Sequence, residues 1–183
     1  MAGLALSIKS SPTGRDFAAV FGSMAASYGN MKQLFKNISA NVIYPHFKSQ
    51  FQSEGASGET GRWAPLSAEY AKRKKRKFGN KKILVASGTM KISLTGARPS
   101  DGIREVSQHH VKYGSNIPYA IYHQTGARGR GRSGAIGQLP RRPMWDPTSQ
   151  NLQKAVTDQV RLWNRDELNR ARSRLGSVGA GIK

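Results

Sequence analysis

Residues 126–137 hold five glycines and three arginines, and beyond Ala127 their only apolar content is Ala135 and Ile136. No core can be built from such a stretch, because nothing in it buries enough apolar surface to offset the entropy of ordering it. Whatever core exists must therefore be assembled from segments on both sides of it. The flanks look anchored. Tyr119, Ala120, Ile121 and Tyr122 precede it, and Pro140 and Pro143 follow it in "LPRRPMW". Two prolines forbid a central strand, so that segment is expected to return as an extended edge. The expectation is a long, pliable arm over 126–139.

Charge narrows the reading further. Thirty Lys and Arg stand against ten Asp and Glu, a formal +20 at pH 7. Self-repulsion on that scale suits a chain with a polyanion or an acidic protein face as its partner. Hydrophobic residues make up 37% of the 183, enough for one packed domain with extensions. Cysteine is absent, which excludes disulfides and thiolate zinc sites and fits assembly in a reducing cytoplasm. No apolar run approaches the ~20 residues of a membrane span. The N-terminal segment lacks a basic start followed by an apolar h-region, so no signal peptide is expected.

Periodicity supplies the elements. Residues 3–9 alternate weakly, as an edge strand would, and 16–27 read as a short helix. A stronger helix covers 31–53, with Leu34, Phe35, Ile38, Val42, Phe47 and Phe51 near a 3.6-residue period. Pro45 lies inside it and predicts a kink or restart near Ile43. Ser67 is set to cap a basic helix that stops near Phe78, at Gly79-Asn80. A short buried run, a turn at Ser87-Gly88 and a restart at Met90 follow. Two strands are expected at 103–106 and 110–113, turning at Gln108 and His109. The last helix covers 148–175, capped by Asp146 or Thr148, before a frayed tail at 176–183.

Few residues offer chemistry. "GRGRSG", Gly129 to Gly134, matches the dinucleotide pattern G-x-G-x-x-G. It leads into "AIGQLPRRP", which cannot open a helix, and Asp146 comes too early to hold a ribose. A pliable loop is the better reading. His46, His109, His110 and His123 do not space like metal ligands, and adjacent His109 and His110 would point apart in a turn. No acid, base and nucleophile converge, so neither an enzyme nor a cofactor is expected. The cationic run Lys72, Arg73, Lys74, Lys75, Arg76 and Lys77 covers more than one and a half helical turns and reads either as a contact for DNA or an acidic partner or simply as a solvated helix end. Trp63 and Trp145, beside prolines, read as fasteners of loops onto a core.

Five short elements then fall in a familiar order: Trp63 before Pro65-Leu66; Leu84, Gly88 and Met90; Val111 and Gly114; Tyr119, Ala120, His123 and Gly126; Pro140, Arg142 and Pro143. Over about residues 60–175 this order resembles the phage virion morphogenesis family, which includes tail completion and neck proteins of tailed bacteriophages. Met144-Trp145 stands where the family usually has Phe-Leu. The resemblance implies a non-enzymatic α+β protein, found in the virion tail or neck and in the host cytoplasm during assembly. It further implies a homo-oligomeric ring of six-fold or related symmetry at the head-proximal end of a tail, joining head to tail as a completion, terminator or neck protein.

Together these readings predict a small mixed or antiparallel sheet packed with N- and C-terminal helices. An extension (1–30), one domain (31–175) carrying the arm, and a disordered tail (176–183) complete the plan. Arg128, Arg130, Arg132, Arg141, Arg142 and Trp145 are the candidate contacts to a neighbouring subunit or the neck. Residues 72–77 are candidates for DNA in the channel or an acidic partner. The alternative is a sequence-nonspecific nucleic-acid-binding protein working through the same basic clusters.

Overall fold

The computed structural model describes residues 14–96, 100–130, 136–146 and 148–180. The edge strand expected at 3–9, Arg132 and residues 181–183 lie outside that set. Within it the chain is α+β: seven α-helices, one π-helical turn and two separate two-stranded antiparallel sheets.

A broken helix forms the spine. Helix α1 (Gly14–Gly29) comes first, then α2 (Lys32–Ile38) runs through a π turn (Ser39–Ile43) into α3 (Tyr44–Ser53). Pro45 sits in the first turn of α3, where its missing amide costs least, and the π turn immediately before it absorbs the break. Leu34, Ile38, Ile43, Phe47 and Phe51 project from this spine into the core. Phe47 stacks at 5.6 Å on Tyr113 and at 5.9 Å on Trp145, while Phe51 meets Trp63 edge-on at 5.6 Å.

The spine ends at a constrained turn. Glu54 takes the left-handed conformation at φ 54 and Gly55 follows at φ 88. A Cβ on Gly55 would lie 2.5 Å from the Trp63 ring, so only glycine allows the indole to close over this turn.

Helix α4 (Ala68–Phe78) starts where Ser67 Oγ accepts from Tyr70 N, the cap expected from sequence. Helix α5 (Thr89–Thr95) buries Met90 and Leu94. Strands β1 (Gly102–Val106) and β2 (Val111–Ser115) pair with Arg104 opposite Tyr113. The Arg104 guanidinium lies over the rings of Tyr44 at 4.4 Å and Tyr113 at 5.1 Å. Helix α6 (Ala120–Thr125) leads into β3 (Ala127–Arg130), which pairs with β4 (Ile136–Leu139).

This ribbon departs from the long loop expected of the glycine–arginine stretch. Glycines contribute no side chain to a core, yet they leave backbone donors and acceptors that a two-stranded ladder can satisfy locally. Helix α7 (Gln150–Ala180) also runs past the expected end near Leu175, into part of the tail predicted to be disordered. It lays Leu152, Val156, Val160 and Trp163 on the core, and its later turns carry α1, with Tyr28 edge-on to Trp163 at 5.0 Å.

Candidate assembly surface

The segments that carry the recognised motifs are bonded to one another. Trp63 is buried and its Nε1 donates to the Pro143 carbonyl at 2.8 Å. Arg142 donates from Nε to the Ala64 carbonyl at 2.8 Å and from Nη2 to the Pro65 carbonyl at 3.0 Å. Its own backbone N–H donates to the His123 carbonyl at 2.7 Å. The Gln124 side chain completes the clasp, accepting from Met144 N at 3.0 Å and donating to the Trp145 carbonyl.

These contacts bear on three of the expected contact residues. Arg142 is only 3% exposed and bonded inward, locking the "RWAPL" segment to the end of α6. Burial also lowers its affinity for its proton, the nearby Tyr70 opposing that effect. Trp145 is half-buried against Phe47 and His46, the fastening position that its flanking prolines suggested. Lys74, expected in a solvent-exposed cationic run, is buried, and its Nζ donates to the Lys81 carbonyl at 2.7 Å and to that of Lys82. Desolvation lowers its pKa, and Glu54 acts in the opposite direction. A helix cannot expose six consecutive residues when one of its faces rests on a loop.

The remaining basic residues form two surfaces. On α4, Lys72, Lys75 and Arg76 share the solvent side at i, i+3 and i+4. Lys77 is exposed over the Phe78 ring at 5.3 Å, and exposed Arg73 lies 5.5 Å from the Tyr70 ring centroid. On the ribbon, Arg128 is exposed and lies opposite Gln138, while Gly129 lies opposite Gly137. Arg128 and Arg141, both exposed, line one hollow of about 290 Å³ at the ribbon's root. Both outer edges of the ribbon are unpaired among the described residues. Gly126 makes the bend into the ribbon at φ 78, with the Leu139 carbonyl 3.2 Å from where a Cβ would sit.

Between α4, α5, α6 and the end of β4 lies a groove of about 870 Å³. Four of the five motif segments meet there through Pro65 and Leu66, Leu84 and Met90, Tyr119 and His123, and Pro140 and Arg142. Sequence reading had named these residues separately and did not bring them together. His123 is held below the ordinary imidazole range by burial, and secondarily by the Arg142 charge.

Sequence reading also missed Glu59. Its carboxylate accepts from Gln150 N at 2.9 Å and Asn151 N at 2.7 Å, capping α7 from a distant loop. The bond from Asn151 chiefly holds its pKa down. Only the excess of bare amides at a long helix start, met by a lone acidic residue in "GETG", could have hinted at it.

Among the described residues no group of three or more His, Cys, Asp or Glu could hold a metal ion, and no helix is long and apolar enough to cross a membrane. Comparison with curated proteins and with solved structures gives no significant match. The sequence profile of the phage virion morphogenesis family matches residues 13–163, from the start of α1 to the middle of α7. The match embraces the clasp, both basic surfaces and the groove, and the chain belongs to the phage virion morphogenesis family.

Proposed function

We propose that this protein completes or terminates the tail of a phage, forming a ring, hexameric or of related symmetry, at the head-proximal end and mediating head–tail joining. Family membership supplies the virion assembly role. The observation that carries the finer reading is the β3–β4 ribbon. It is an arginine-bearing extension whose two outer edges are unpaired among the described residues, rooted on a buried clasp that fixes its direction. Such a ribbon reaches a neighbouring subunit or a neck protein, adding backbone hydrogen bonds along an edge and charge-assisted bonds from arginine. Arg128, Arg130, Arg132 and Arg141 are its contact residues in this reading.

The solvent side of α4 favours a second contact. Lys72, Lys75 and Arg76 face away from the fold with Lys77 beside them, and a ring multiplies their field, which suits DNA passing through the channel. The test is complementation of a phage lacking this protein with Arg128→Ala, Arg130→Ala and Arg132→Ala combined. The expected result is folded protein, with heads and tails accumulating unjoined. Normal yields of infectious particles would remove the ribbon from this role.

A further inference from the structure

The groove between α4, α5 and α6 has an unbalanced lining. Its walls are apolar, with Pro65, Leu66, Leu84, Met90, Leu139 and Pro140, and its charged members are Arg73, Lys74 and Arg142. Among the described residues no Asp or Glu lines it. Arg142 and Lys74 are buried and their side chains bond to neutral backbone carbonyls. Glu54, off the lining, partly offsets Lys74, which leaves Arg142 and Arg73 as the charges with no carboxylate on the lining. Cations set in low-dielectric walls focus a positive potential into the space between them. At the rim, Tyr70 and Tyr119 are 42% and 44% exposed, aromatic residues with polar tips of the kind that anchor interfaces.

We infer that this groove docks an extended segment of another virion protein, in which an Asp or Glu is flanked by apolar side chains. The inference rests on the assembly reading above and names the chemistry of one partner. A second copy of this chain is a poor occupant. The chain carries +20, and Glu54, Glu59, Asp146, Asp158 and Glu167 are already bonded within the fold. Glu105 in β1 pairs with Lys112, Asp101 in a turn accepts from Ser100, and Asp16 lies in helix α1. Glu69 and Asp166 lie in helices α4 and α7, not in an extended segment. The apolar walls would bury the flanking side chains while Arg73 at the rim pairs with the carboxylate, and the buried Arg142 contributes its field from beneath without a direct bond.

The experiment is selection of a random linear peptide library on the immobilised full-length protein. Binding of the enriched peptides is then measured by fluorescence anisotropy. The expected peptides share an acidic residue next to Leu, Ile or Phe. Arg73→Glu should weaken them about tenfold or more, and Tyr119→Ala should weaken them as well, while Lys75→Glu, outside the groove, should change affinity less than about threefold. Three results would overturn the inference: enriched peptides without acidic residues, equal loss with Lys75→Glu, or displacement of the peptide by an equal concentration of single-stranded DNA. The ribbon triple variant keeps this outcome separate from the assembly reading. Should that variant block head–tail joining while acidic peptides fail to bind, only the groove inference falls.

Discussion

The indole nitrogen of Trp63 donates to the carbonyl of Pro143 across 2.8 Å, joining two segments far apart in sequence. Arg142 returns the contact to the carbonyls of Ala64 and Pro65. This reciprocal clasp fixes where the ribbon leaves the core, because the chain passes from β4 into Pro140 and Arg142 with little slack.

Trp63→Ala should therefore lose both a buried ring and a hydrogen bond. The expected cost is about 3–5 kcal/mol in urea or thermal unfolding. Trp63→Phe keeps most of the ring and orphans the Pro143 carbonyl, for about 1–2 kcal/mol. Equal costs for the two variants would show that the hydrogen bond, not the packing, dominates.

Arg142→Lys should behave as a destabilising change despite keeping the charge. A single ammonium cannot reproduce the planar fork that reaches two adjacent carbonyls. A loss of about 2–4 kcal/mol is expected, since each hydrogen bond from a charged donor contributes about 1.5–3. Arg141→Lys, at an exposed neighbour, should fall within about 0.5 kcal/mol of the parent.

Glu59→Gln should loosen the start of α7 without unfolding the core. The prediction is faster hydrogen exchange at the amides of Gln150 and Asn151, with exchange at Phe47 and Phe51 unchanged. Added salt should reduce the difference between variant and parent, because the interaction is exposed and charged.

Stability should fall on mild acidification. His46 and His123 both have depressed pKa values, His46 through burial opposed by a bond to the Met144 backbone, His123 through burial and the Arg142 charge. The unfolded histidines take up protons near pH 6.5 while the folded ones resist, so their contribution is complete above about pH 6.5 and shrinks below it. The depressed carboxyls of Glu59, Asp146 and Asp158 act lower. Their contribution is present above about pH 4 and lost as pH falls through their folded values. Melting temperature between about pH 7 and 5 should drop in the parent, and His123→Gln should flatten that slope. An unchanged slope would take His123 out of the account.

What was legible in the sequence was local. Pro45 marked the restart of the spine, Ser67 marked the start of α4, and the two alternating runs around Gln108 gave β1 and β2, because each signal acts within a few residues of itself. What was missed depends on partners far along the chain. Lys74 is buried only because residues 81 and 82 fold back over it, and Glu59 caps a helix whose first amide lies 91 residues away. The ribbon escaped for another reason. Strand signals rest on side chains that pack, and a pairing such as Gly129 with Gly137 has none.

The central claim is positional: copies of this chain occupy the junction where head meets tail. Electron microscopy of purified virions at a resolution that traces backbone tests it most directly. The account predicts a closed ring of this protein at the head-proximal end of the tail, with each β3–β4 ribbon laid against a neighbouring protein. Mature particles that lack the protein, or that carry it as isolated copies away from the junction, would contradict it.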